Sequence, residues 1–172
     1  PDEETGNGIK YFDVAKFGAD YAYTVDGENP GEIDNETFCG DAAVVTFNGI
    51  NVHAGWAKGR LASAIKAAAR FIDLLPSHMA PESTEGKEGF LHPTTLEGSV
   101  SKVILKLILR DFDETKLKAQ HKILEDIGQL VRLRSPGVEI TYSFEERYRN
   151  MRYILEKNPL VMECALEAIR RS

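Results

Sequence analysis

The 172-residue sequence predicts an α+β protein built on a four-stranded antiparallel sheet with two helices on one face. Three observations carry this. Between residues 38 and 147 the apolar residues recur at intervals of two, then three and four, then two again, in the order βαββαβ. A turn at Gly98-Ser99 lies between two alternating runs, as an antiparallel pair requires. Each helical stretch has a single apolar stripe, the pattern of a helix resting on a sheet. This is the ferredoxin-like sandwich.

Ala43, Val45 and Phe47 share one face of the first strand. Leu61, Ile65, Ala68, Ala69 and Ile72 mark the first helix, which Pro76 and Pro81 close. Residues 90–97 and 101–110 form the paired strands. In the second of them Val103, Leu105, Leu107 and Leu109 face one way, while Lys102, Lys106 and Arg110 face the other with Ile104 and Ile108 between them. Leu117, Leu124, Ile127 and Val131 line the second helix, and Val138, Ile140, Tyr142 and Phe144 the fourth strand.

Outside the sandwich the pattern is broken. Residues 1–37 read as a loop, a short helix within Asn7–Phe17 stopped by Gly18, a strand over Tyr21–Val25, and a hinge rich in turn formers at 28–35. Asn158-Pro159 is an N-cap and first-turn pair opening a last helix with Val161, Ala165 and Ile169 on one stripe. The expected division is therefore 1–37, 38–147 and 148–172, with the sandwich inserted between two pieces of another domain. A first residue of Pro1 fits a fragment or a processed chain.

With 21 basic against 27 acidic residues the net charge is −6, and no basic tract is interleaved with aromatics, which argues against nucleic-acid binding. Cys39 and Cys164 lack paired spacing and read as reduced structural thiols of a cytoplasmic protein. No apolar run reaches the roughly 20 residues that span a bilayer, so membrane association is not expected.

Two sets of residues suggest chemistry. The loop Asn48-Gly-Ile-Asn-Val-His-Ala-Gly-Trp-Ala-Lys58 puts His53 on a bent tip bracketed by Gly49 and Gly55, residues that tolerate positive φ. A solvated histidine fits the same loop. Glu3-Glu4 on a loop and Asp26 at a strand end could divide metal holding and proton transfer between them, although solvated turns look alike. His78, His92 and His121 are read as structural, and His121, on the stripe of the second helix, as a packed residue with a hydrogen-bond partner.

Pro1-Asp-Glu-Glu-Thr-Gly6, Tyr23-Thr-Val-Asp-Gly27, Asn51-Val-His-Ala-Gly55, Thr84-Glu-Gly-Lys-Glu-Gly-Phe90, Arg110-Asp-Phe-Asp113 and Asn150-Met-Arg152 resemble, in order and spacing, the peptidase T family. These are tripeptide aminopeptidases among the dinuclear zinc exopeptidases related to carboxypeptidase G and the aminoacylases. The resemblance runs over essentially the whole chain. It implies a cytoplasmic, homodimeric zinc hydrolase acting on tripeptides, of which this chain supplies the lid or dimerisation domain. Glu3 then matches the general base, and Glu4 and Asp26 match ligands to the two zinc ions. His53 matches the histidine that one subunit's lid offers to the oxyanion in the other's active site. Arg110 matches the arginine that grips the peptide's terminal carboxylate, a task suited to its planar fork. On the residues alone, Arg110 could equally be a strand-end cation pairing with Asp111 or Asp113.

Two features depart from the family. Ala54 stands where proline is usual after the histidine, and Trp56 where a small polar residue is common. The family's remaining metal ligands, a His-x-Asp pair, a bridging aspartate and a last histidine, fall outside this segment, so the chain alone is expected to bind no zinc and to be inactive. The twofold partner is expected at the exposed edge of the sandwich near the first helix. Two alternatives stay open: a non-catalytic ferredoxin-like module for oligomerisation or small-molecule binding, and a zinc dipeptidase or aminoacylase.

Overall fold

The computed structural model describes residues 11–25 and 29–171. In chain order the elements are α1 (Val14–Phe17), β1 (Cys39–Asn48), α2 (Ala64–Asp73), β2 (Phe90–Gly98), β3 (Lys102–Asp111), α3 (Glu114–Arg134), β4 (Glu139–Tyr148), α4 (Arg152–Leu155) and α5 (Pro159–Arg171). They fall into two compact units, Asn35–Glu156 and a second formed by the flanks Pro1–Asp34 and Lys157–Ser172. No helix among the described residues is long and apolar enough to cross a membrane.

The unit Asn35–Glu156 is the α+β sandwich. Its sheet has the order β2-β3-β1-β4 and every neighbouring pair is antiparallel. Alternation decides its two faces. Ala43, Val45 and Phe47 of β1 and Val103, Leu105, Leu107 and Leu109 of β3 are buried beneath the helices. Leu117, Leu124, Ile127 and Val131 of α3 close over them, as their spacing predicts.

The first helix requires a correction. It begins at Ala64, capped by the Ser63 hydroxyl, and buries Ala64, Ala67, Ala68 and Phe71. The stripe is thus rotated from the expected Leu61, Ile65, Ala68, Ala69 and Ile72, and Ile65 is half exposed. Small alanines let the helix lie close to the sheet, and Phe71 meets Phe47 edge-on at 5.4 Å. Close approach and one aromatic anchor outweigh the bulk of the isoleucines.

The two ends of this unit are tied to each other. Asn150 is 1% exposed; its Oδ1 accepts from the Thr37 and Arg152 amides at 3.1 and 2.9 Å, and its Nδ2 donates to the Phe112 carbonyl at 3.1 Å. Glu36 takes Lys87 and Arg152 as ion-pair partners, and the Lys87 hydrogen bond holds its carboxyl below the usual range.

In the flanking unit, Asp13 caps α1 and Gly18, at φ 73°, ends it. The strand expected over Tyr21–Val25 is not formed. Alternation is a local signal, whereas a strand needs a ladder partner, and among the described residues none pairs with this stretch. Tyr23 instead donates its hydroxyl to the Val161 carbonyl on α5 at 2.7 Å.

Candidate functional site

His53 stands on a loop with a rigid root. The Gly49 amide donates to the Ser101 carbonyl, and Ile50 and Ala62 exchange both backbone hydrogen bonds. Glycine is needed at 49 for space rather than for positive φ, which corrects the sequence argument. A Cβ there would stand 2.3 Å from the Ala62 carbonyl oxygen and 2.7 Å from that of Val100. Gly55 has no positive φ either; in this loop that conformation falls to Gly59, at 71°.

At the tip, His53 caps a short 3₁₀ turn, Ala54–Trp56, by accepting the Gly55 amide on Nδ1 at 3.2 Å. A neutral imidazole that accepts on Nδ1 carries its proton on Nε2. The exposed ring therefore presents an N–H donor outward. The Trp56 indole, 73% exposed, lies beside it at 5.5 Å between ring centres.

Arg110 lies at the far end of the sheet on the face the helices leave open. It pairs with Gly40 of β1, and Gly40 pairs on its other side with Tyr148 of β4. A bulge between Gly40 and Asp41 sets this register. Because Gly40 has no side chain, the Arg110 guanidinium reaches across it and lies over the Tyr148 ring, 5.1 Å from its centre. Its Nη1 donates to the carbonyls of Leu109 and Asp41 at 2.8 and 3.3 Å. The pairing with Asp111 or Asp113 is not formed: Asp111 accepts the Asp113 amide, and Asp113 caps α3. Among the described residues Arg110 has no carboxylate partner.

Behind Arg110, on the helix side, the Asp41 carboxylate is 3% exposed. It accepts from Arg149 Nη1 at 2.7 Å and lies 2.8 Å from His121 Nε2, whose ring stacks on Phe144. His121 is thus the packed, partnered residue its position on the stripe predicts. Burial disfavours the Arg149 charge, but the Asp41 hydrogen bond and the charges of Asp41, Glu146 and Glu114 outweigh it and hold the guanidinium above its ordinary value.

His53 and Arg110 are not brought together within one copy. Arg110 sits beside Gly40 at the start of β1 and His53 follows the end of that strand at Asn48; the strand between Gly40 and Asn48 alone runs about 26 Å at about 3.3 Å per residue. Glu3, Glu4 and Asp26 lie outside the described residues. Among the described residues no three His, Cys, Asp or Glu side chains gather as metal ligands.

Sequence reasoning missed Asp41, Arg149, Tyr148 and Gly40. One signal was legible, since Asp41 is a charge in phase with the inward-facing Ala43, Val45 and Phe47.

The peptidase dimerisation domain of the M20 group matches residues 37–131. The chain is 43% identical over 169 residues to peptidase T of Geobacillus kaustophilus, covering 98% of this chain and 41% of that protein. It is 42% identical over 171 residues to peptidase T of Vibrio cholerae, again with 98% and 41% covered. It therefore spans about two fifths of the length of these curated relatives. Crystal structures of the aminopeptidase PepT from Bacillus cereus and of a tripeptidase from Staphylococcus aureus share its fold, with TM-scores of 0.68 and 0.69. Each is 22% identical and covers 87% of this chain and 40% of the other.

Proposed function

Given that this chain belongs to the M20 peptidase dimerisation-domain family, we propose that it is the lid or dimerisation domain of a cytoplasmic, homodimeric tripeptide aminopeptidase, carried with two pieces of the catalytic domain. The relatives named peptidase T support this reading along 98% of the chain. The lid takes in residues 38–147 together with the rest of the compact unit to Glu156, and the flanks on either side of that unit belong to the catalytic domain. Glu3 is the general base, and Glu4 and Asp26 each bind one of two zinc ions. When bound, the ions supply a water that ionises near neutral pH. Two carboxylates are too few to complete two zinc coordination shells, so this chain alone binds no zinc pair. Arg110 grips the terminal carboxylate of the peptide. His53 directs its Nε2–H at the oxyanion in the partner subunit's active site, and β2, the strand edge on the side of α2, lies at the twofold interface.

The observation that carries this reading is the placement of His53 and Arg110 at opposite ends of one sheet. An extended tripeptide is about 10 Å long, far short of the length of β1 that lies between Arg110 and the His53 loop. Two copies related by a twofold axis can bring the His53 end of one to the Arg110 end of the other.

The test is complementation in the full-length protein. His53→Ala and Arg110→Ala should each lower turnover of a tripeptide at least a hundredfold with metal content retained. A reassorted mixture of the two variants should recover about a quarter of wild-type activity, because half the dimers are mixed and each of those holds one intact site. No recovery in a mixture shown to contain mixed dimers refutes the shared site.

A further inference from the structure

We infer that Tyr148 is a positioning residue for Arg110, its ring holding the guanidinium in the orientation that receives a substrate carboxylate. The inference rests on the role proposed above for Arg110.

An arginine side chain is long and carries five donors, so an unrestrained one samples many orientations. Arg110 is restrained from two sides. The Leu109 and Asp41 carbonyls take up Nη1, and the Tyr148 ring covers one face of the guanidinium. With no carboxylate partner among the described residues, the cation keeps an uncompensated charge. The two carbonyls take up Nη1, and the Nε–Nη2 edge is left for the two parallel hydrogen bonds that a carboxylate makes.

The surroundings hold this geometry in place. Gly40 separates Arg110 from Tyr148, and a Cβ there would stand 2.8 Å from Tyr148 Cζ and 2.9 Å from Arg110 Nη1. Arg149, the next residue after Tyr148, is fastened to the buried Asp41 carboxylate at 2.7 Å. The same Asp41 offers its main-chain carbonyl to Arg110. One residue therefore anchors both the strand end that carries the ring and the peptide that receives the guanidinium. The bulge between Gly40 and Asp41 makes this possible, since it sets Tyr148 beside Gly40 while Arg149 meets Asp41.

The experiment compares a tripeptide with its C-terminal amide as substrates of the full-length protein. A cation over an aromatic face is worth roughly three- to thirtyfold in occupancy. Tyr148→Leu should raise KM for the free acid by about tenfold, with kcat within twofold, and so lower the wild-type preference for acid over amide by about the same factor. Tyr148→Phe, which keeps the ring, should restore the wild-type KM. In an Arg110→Ala background Tyr148→Leu should add nothing, because its effect passes through the missing guanidinium. The inference is overturned if Tyr148→Leu keeps the wild-type acid-to-amide ratio, loses acid and amide equally, or adds fully to Arg110→Ala. Wild-type protein that cleaves acid and amide alike overturns the role of Arg110, and one that cleaves neither overturns the peptidase reading. Both results take the inference with them and are read before any variant is made.

Discussion

Asp41→Asn isolates the charge at the centre of the cluster behind Arg110. The wild-type carboxylate, 3% exposed, makes two close polar contacts, one to Arg149 at 2.7 Å and one to His121 at 2.8 Å. Hydrogen bonds to charged groups are worth about 1.5 to 3 kcal/mol each. Asparagine keeps the size and one acceptor, so a single contact to Arg149 can persist without the charge. Arg149 is not stranded either, because Glu146 at 2.7 Å and Glu114 at 3.6 Å remain. The loss should then be about 2 kcal/mol, below the 3 to 5 kcal/mol of a buried charge left alone. With a urea dependence of about 2 kcal/mol per molar, the unfolding midpoint falls by about 1 M at unchanged slope. Far-ultraviolet circular dichroism is the suitable probe, since Trp56, the single tryptophan, is exposed in the folded protein. A midpoint within about 0.2 M of wild type, or full additivity with Arg149→Met, would show that the pair contributes nothing.

Two further substitutions probe α3. Gly128→Ala ordinarily gains up to about 1 kcal/mol in a helix interior, but here the new Cβ would lie 1.5 Å from the Tyr142 hydroxyl oxygen. Overpacking should win by about 2 kcal/mol, and a higher thermal midpoint would contradict the packing of α3 against β4. Asp113→Asn tests pH dependence: the Lys116 and Thr115 amides hold the Asp113 carboxyl below its ordinary value, so its contribution is present above its unfolded value and is lost as pH falls through the folded one. The asparagine variant should cap the helix without titrating, and the wild-type minus variant stability should decline only on the acid side. A difference that is flat across that range in urea titrations excludes Asp113 as a source of acid sensitivity.

Periodicity carried most of the sandwich because burial enforces it. In β1 and β3 a shift of one residue would turn Phe47 or Leu105 out of the core, so alternation and structure must agree. Where the signal is weaker the reading fails. On α2 the aliphatic residues suggested one stripe, but the helix turns its alanines and Phe71 inward because the sheet admits close approach there. A period is set by side chains, whereas a phase is set by the partner surface, which is not written in the helix itself. Tyr21–Val25 fails for a related reason, as its alternation names no neighbour. Gly49 was read for φ when its purpose is space, and only the folded positions of Val100 and Ala62 reveal that.

The candidate site divides along the same line. The placement of His53 on an exposed loop was legible, although not through the φ of the glycines that bracket it, and the hydrogen bond that orients it spans only two residues. The setting of Arg110 was not, because it depends on register across three strands. Reading β4 as an uninterrupted strand cannot say that Tyr148 faces Gly40 while Glu146 faces Asp41; the bulge decides it. A bulge forfeits ladder pairing and persists where re-aiming a side chain offsets that loss. At this one, the side chains re-aimed are the ring under Arg110 and the guanidinium that neutralises Asp41. The one legible trace is Asp41 itself, a charge on the inward face of a strand, which must be paired if it is buried. Its partners could have been sought among the cations of the elements flanking β1, and Arg149 at the end of β4 is the one the fold supplies.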